Sequence, residues 1–292
     1  MKRIMNISLL ASCIIALSIG FTACGRSEDL ALHHNGNLTQ KVKTIFKDLG
    51  IDITTLVQAN EFAQKNLIRT GERWDKQEES EINTRIREHE STLLNDLRAL
   101  NMVDAITPKQ KHYTYALLMG ALKMRVAQRL GYLEDLMQTG HTFDYIVLLG
   151  GERPLRDIEK EGLPETVNTE GQMMAYLACQ SPLLADKKIL LVNAPMTQKP
   201  DGTFTRPTFE GTLTHFSEIA PQDGSCLVVS NNPYIVRPTK MAQRILDKSR
   251  FPTEGAGPAL NIEVTGILMV MDEFARTLYE DTLQQNAQCQ KP

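Results

Sequence analysis

Cysteine, tryptophan and clustered basic charge are all scarce in this chain, and each scarcity excludes something. Only five of the 292 residues are cysteine and one is tryptophan. Five cysteines do not make a disulfide framework, and Cys13 lies inside an apolar N-terminal run. Cys179 falls in a helical pattern and Cys226 opens an apolar strand, so both read as small buried hydrophobes, with a Cys179–Cys226 bridge as the alternative. No His or Cys pair has metal-ligand spacing, so no metal is expected. Lys and Arg are nowhere massed, and the formal charge is −3. Binding a phosphate backbone needs clustered basic residues, which argues against a nucleic-acid partner. The GxSxG elbow, the Walker A run and HExxH are all missing, and Leu149-Gly150-Gly151-Glu152-Arg153-Pro154 lacks the third glycine of a dinucleotide fingerprint. There is no internal repeat. What remains is 42% hydrophobic, enough for a proper core.

The N-terminus is the most specific segment. Lys2-Arg3 precedes an almost unbroken apolar run from Ile4 to Phe21, closed by the small residues Thr22-Ala23-Cys24-Gly25. A basic start, an apolar stretch too short for a comfortable span and a small-residue cut site define a secretory signal. With a cysteine just past the cut, the segment resembles a lipoprotein signal peptide, although Phe21 stands where Leu is usual. The resemblance implies cleavage after Ala23 and a lipid anchor (palmitate-type acyl chains) on Cys24, facing the periplasm of a bacterial envelope. Gly25 in place of the retaining Asp favours the outer membrane. An uncleaved anchor helix is the competing reading. Loss of Lys2 and Arg3 takes the charge from −3 to −5.

The expected organisation is a signal at 1–23, a polar tether at 24–37, a helical region at 38–140, an α/β region at 141–285 and a tail at 286–292. In the helical region Leu38, Val42, Ile45, Phe46 and Leu49 follow helical spacing, and Gly50 stops that run as a C-terminal cap. Ile53 to Arg69 repeats the pattern. Trp74 to Met102 is charged, with a thin apolar stripe at Ile82, Ile86, Leu93, Leu97 and Leu100. Thr107 is read as an N-cap with Pro108 at the first helical position, opening a helix to Met137.

At Phe143 the period changes. Apolar runs at Phe143–Leu149, Lys188–Val192 and Cys226–Val229, with a weaker one at Asn261–Gly266, alternate with helical stretches near Asn168–Cys179, Thr208–Ile219 and Pro238–Leu246. Continuous apolar strands alternating with helices predict a mostly parallel, Rossmann-like sheet covered on both faces. A last helix is expected from Ile267 to Gln284.

In such sheets ligands bind beyond the strand carboxyl ends. The residues to collect are therefore Gly150, Gly151, Glu152, Arg153 and Arg156 after the first run. Asn193, Arg206, Thr208 and Glu210 follow the second, and Ser230, Asn231, Asn232, Tyr234 and Arg237 follow the third. Asn168, Thr169 and Glu170 open a helix whose free N–H groups favour an anion. Paired glycines, several arginines and two carboxylates suit an anionic small molecule. Each feature also has a structural reading: a turn at Gly150-Gly151 or Asn231-Asn232-Pro233, surface pairs for Arg153 and Arg156, helix-start carboxylates at Glu170 and Glu210.

The order of these motifs resembles the ElyC/SanA/YdcF domain family of bacterial envelope proteins, over roughly Asp144 to Leu246. The matching stretches are Asp144–Gly151, Thr169–Met174, Arg206–Thr212 and Val229–Arg237. Glu152 replaces a third glycine, and Asn232 or Pro233 stands where a histidine is typical. The resemblance implies a Rossmann-like fold, a role in envelope integrity or peptidoglycan precursor metabolism, and a nucleotide-like ligand such as S-adenosylmethionine.

The leading expectation is thus an envelope lipoprotein whose α/β part binds an anionic small molecule. Gly150, Gly151, Thr169, Asn231 and Arg237 would contact it, and Glu170 and Glu210 would orient polar groups or serve as acid and base. A non-catalytic scaffold, meeting a protein partner through Trp74–Met102, is the alternative. Transfer or hydrolysis on a cell-wall precursor would use the same residues as the first. No cofactor is specified.

Overall fold

The computed structural model describes residues 31–69 and 80–289. The signal segment 1–23, Cys24 and Trp74 lie outside the described residues. The described part forms one compact unit, in which the helical and α/β regions are not separate bodies.

Five strands build a parallel sheet: β1 (His112–Met119), β2 (Thr142–Gly151), β3 (Lys188–Ala194), β4 (Cys226–Val229) and β5 (Thr253–Ala256). Their spatial order is β3-β2-β1-β4-β5, every neighbouring pair parallel. The fold is α/β and Rossmann-like. The strand order reverses between β1 and β4, and in this architecture that reversal opens a crevice at the strand carboxyl ends.

The helices are α1 (Gln40–Asp48), α2 (Leu56–Asn66), α3 (Glu81–Glu88), α4 (Glu90–Arg98), α5 (Lys123–Gln138), α6 (Asp157–Lys160), α7 (Glu170–Cys179), α8 (Phe209–Ile219), α9 (Val236–Ile245), α10 (Ile262–Thr265) and α11 (Ile267–Cys289). Alternate side chains of the sheet feed two cores. Ala116, Leu118, Ile146, Leu148, Leu227 and Val229 face α5 and α7. Leu117, Met119, Val147, Leu149, Cys226 and Val228 face α8 and α9. A third core joins α1 to α4 with α11, around Phe46, Leu56, Leu93, Leu97 and Phe274. The apolar stripe at Leu93, Leu97 and Leu100 is buried there, and Gly50 closes α1 with φ +75°.

Several expectations need correction. β1 was expected as part of a helix running from Pro108, but the helix starts only at Lys123. Leu117, Leu118, Ala121 and Met124 satisfy helical spacing, yet burial on both faces of a central strand also tolerates a continuous apolar run. Thr107 and Pro108 precede that strand and cap nothing; Ile106 bridges Gly257 instead. The strand expected at Asn261–Gly266 is the short helix α10, with Asn261 as its N-cap, and the fifth strand is Thr253–Ala256. The tether read to Asn37 ends earlier. His33–His34 pairs with Asn37–Leu38 across Asn35-Gly36, both at positive φ, and Leu32 is buried. The tail gives way to α11 as far as Cys289. Cys179 is exposed rather than buried, and it and Cys226 are free. Burial pushes the Cys226 thiol up to about 12.

α11 is buried on two sides of different chemistry. Its apolar residues join the helical core. Its acidic residues Glu273, Glu280 and Asp281 meet the basic stripe Arg237, Arg244 and Lys240 of α9, each closest pair at 2.5 Å. The stripe spacing of three and four residues puts all three cations on one helix face. Among the described residues no helix is long and apolar enough to cross a membrane.

Candidate functional site

The β1–β4 crevice is built around Arg129 on α5, only 3% exposed. Its Nε donates to Asn231 Oδ1 at 3.1 Å, and its Nη1 to the carbonyls of Met119 and Gly120 at 3.0 and 2.9 Å. These are neutral oxygens at the carboxyl ends of the two strands that flank the reversal. Among the described residues no carboxylate stands within ion-pair distance of Arg129. Burial, aided by the neighbouring Arg125, pushes its guanidinium down to about 10.

Beside it lies Glu170, the first residue of α7. A Cβ on Gly120 would fall 2.9 Å from the Leu149 carbonyl and 3.0 Å from Glu170 Cδ, so glycine at the end of β1 lets that carboxylate lie across it. Arg153 is buried, bidentate to Glu159 at 2.8 and 3.0 Å, and reaches Glu170 at 3.3 Å. Burial raises the Glu170 carboxyl above its ordinary range, although Arg153 pulls it the other way. Glu159 is held below the ordinary range, because its bonds to Arg153 outweigh its burial.

The remaining collected residues fall into three settings. The turns after β2 and β3 do meet. Glu152 N donates to Ala194 O at 2.9 Å, and Met196 N to Glu152 Oε2 at 3.3 Å. There the space over the glycine pair is taken by protein. A Cβ on Gly150 would lie 2.8 Å from Gly171 Cα, and one on Gly151 2.7 Å from Pro207 Cγ. The glycines thus seat α7 and the 206–208 turn against β2. Asn193, Arg206 and Thr208 line this exposed rim, with Thr208 capping α8 through Gly211 N at 3.0 Å. Thr169 caps α7 in a reciprocal box with Gln172, and Glu170 N is taken by Arg153 O. The Glu170 and Gln172 donors at that helix start are therefore already engaged.

Glu210 and Arg237 belong to the second setting, the α9–α11 charge stripe. Glu210 pairs with Arg244 at 3.3 Å, and Arg237 with the fully buried Glu273. The two carboxylates expected as acid and base, Glu170 and Glu210, are bound into different arginine groups.

The third setting is the turn after β4. Ser230, Asn231 and Asn232 are buried. Asn232 Nδ2 donates to Asp104 O at 2.5 Å, while Asn232 Oδ1 and Ser230 Oγ are buried without a hydrogen-bond partner. Asn231 and Asn232 form one wall of a groove of about 380 Å³. Arg125, Gln128, Tyr132 and Asp135 of α5 also line it, together with Pro258, Ala259, Asn261, Val264 and Thr265. The Arg125 guanidinium lies 4.8 Å from the Tyr234 ring centre, and its Nη2 is 3.7 Å from Met269 Sδ. Among the described residues no cluster of metal-ligating side chains occurs.

Sequence reasoning missed Gly120, Arg125 and Arg129. The signal was present: Tyr115–Met119 is an apolar run closed by glycine, the pattern read as a strand at 143–151. No family model, no curated protein and no solved structure matches this chain.

Proposed function

We propose that the chain is an envelope lipoprotein whose Rossmann-like sheet binds an anionic small molecule at the β1–β4 crevice. The observation that carries the reading is Arg129, a buried guanidinium held only by neutral oxygens. An unpaired buried charge is costly, and an anion bound beside it removes that cost. Arg125, one turn earlier on α5, adds a second cation to the same crevice. Glu170, its carboxyl raised above the ordinary range by burial, lies beside them as the crevice's acidic side chain. The resemblance to the ElyC/SanA/YdcF family points the same way, toward a nucleotide-like or cell-wall ligand and envelope integrity. So does the lipoprotein-like N-terminal segment, which on this reading tethers the site outside the cytoplasm through Cys24.

The test is isothermal titration of the full chain, in non-ionic detergent, with AMP, S-adenosylmethionine, a UDP-sugar and short carboxylic acids. Saturable binding of at least one of them, lost in a folded Arg129→Met variant, supports the reading. Silence toward all of them, or equal binding by the variant, overturns it.

A further inference from the structure

The groove beside the crevice says what shape the anion has. Arg125, Gln128, Tyr132 and Asp135 are spaced three, four and three residues apart, so they form one file along α5 and all line the same groove. Arg125 stands at the crevice end and Asp135 at the other. Ten residues of helix separate them, about 15 Å along the axis. Neither has an opposite charge in ion-pair contact among the described residues. Asn232, which also lines the groove, carries an acceptor oxygen that is buried and unpartnered, on a residue only 1% exposed. Pro258, Ala259 and Val264 supply apolar contact on the floor.

Charge selects among anions. Arg125, Arg129 and Arg153 set against Glu159 and Glu170, both ionised in their contacts with Arg153, leave one net positive charge around the crevice. That balance suits a monoanion such as a carboxylate better than a dianionic phosphate monoester. A carboxylate also matches the planar fork of Arg125, which is preset by its stacking on Tyr234. The opposite end, with a lone carboxylate at Asp135, calls for a cation. The middle, with an unfilled acceptor, calls for an N–H donor.

We infer that the groove binds a short linear peptide in extended form, its free C-terminal carboxylate at Arg125 and its free amino group at Asp135. Four extended residues span about 13 Å, close to the roughly 15 Å of helix axis between the two residues. A backbone N–H of the peptide donates to Asn232 Oδ1. The inference rests on the anion-binding reading of the crevice and adds to it the ligand class.

Isothermal titration with tetra-alanine, its C-terminal amide, its N-acetyl form and AMP separates the two. Tetra-alanine is expected to bind wild type at least tenfold more tightly than its amide, with that difference erased in Arg125→Met. N-acetylation is expected to weaken binding at least fivefold in wild type and to have no effect in Asp135→Asn. Both substitutions are at solvent-reached positions, and circular dichroism checks that each variant is folded. If AMP binds and no peptide does, the peptide inference falls and the anion reading stands. If none of the probes and no other anion binds, both fall. Peptide binding indifferent to both blocked termini places the peptide elsewhere and overturns the inference.

Discussion

Replacing Arg129 by methionine separates a binding residue from a structural strut. The buried guanidinium is pushed well below its ordinary value, to about 10, which corresponds to roughly 3 kcal/mol against the charged form in the folded state. The direction matters. Because the folded value is the lower one, the charge is less welcome in the folded than in the unfolded chain. That cost is fully present at neutral pH, where both states are protonated, and is relieved only as pH climbs past about 10. Methionine removes it. The same change strips a donor from Asn231 Oδ1 and from the Met119 and Gly120 carbonyls, at about 1 kcal/mol each. The two contributions nearly cancel, so the variant is expected within about 1 kcal/mol of wild type in urea unfolding without ligand. Its Tm should move by only about 2–4 °C. With a bound anion at a hundred times its Kd, wild type gains about 2.7 kcal/mol and the variant nothing. A loss above about 4 kcal/mol without ligand, or an equal gain with it, would refute the reasoning and make Arg129 a scaffold residue.

Three further outcomes follow from the packing. Arg237→Ala takes away the 2.5 Å partner of a fully buried Glu273 and should cost about 3 kcal/mol in urea unfolding. The double change Arg237→Met with Glu273→Leu should recover most of it, and a double variant no more stable than the single one counts against the pairing. Gly150→Ala forces a methyl against Gly171 Cα, so it should cost about 2 kcal/mol, read as a lowered urea midpoint; an unchanged midpoint would show that α7 can step back. Burial, and then hydrogen bonding with Asp48, raises the Asp96 carboxyl to about 6, above its unfolded value. The proton is therefore held more tightly in the folded chain. Stability from it is complete below about pH 4 and is lost as pH rises through about 6, roughly 2 kcal/mol in all. Unfolding of wild type and Asp96→Asn at pH 4.5 and 7.5 checks this, and parallel pH dependences would refute the raised Asp96 carboxyl.

Which parts of the fold could be read from residues alone has a physical explanation. β2, β3 and β4 announce themselves, because strands inside a parallel sheet are apolar on both faces and end in glycine, asparagine or proline. β1 is equally apolar, but Leu117, Leu118, Ala121 and Met124 fit the helical period as well, and the following α5 extends the pattern without a break. β5 carries Thr253, Glu254, Gly255 and Ala256 at the sheet edge, where Tyr113 gives Glu254 a hydroxyl partner, so no apolar run marks it. The Asn35-Gly36 turn was legible from its two residues and hidden by its polar neighbours. For the site, residues near strand ends could be listed from sequence, and the turns after β2 and β3 do meet. Their partners could not be listed. Arg237 and Glu210 are claimed by α9 and α11, and Arg129 acquires its meaning only when β1 lies beside β4, a neighbour more than a hundred residues away.

The two-sided burial of α11 carries a consequence for synthesis. Among the described residues every strand and every other helix precedes it in sequence, yet the greasy faces of α1 and α2 and the cationic row of α9 stay bare until it packs. A polypeptide stopped short of Ile267 would expose both at once and offer quality-control proteases an easy substrate. Burial of both surfaces therefore waits on the packing of one helix, Ile267–Cys289.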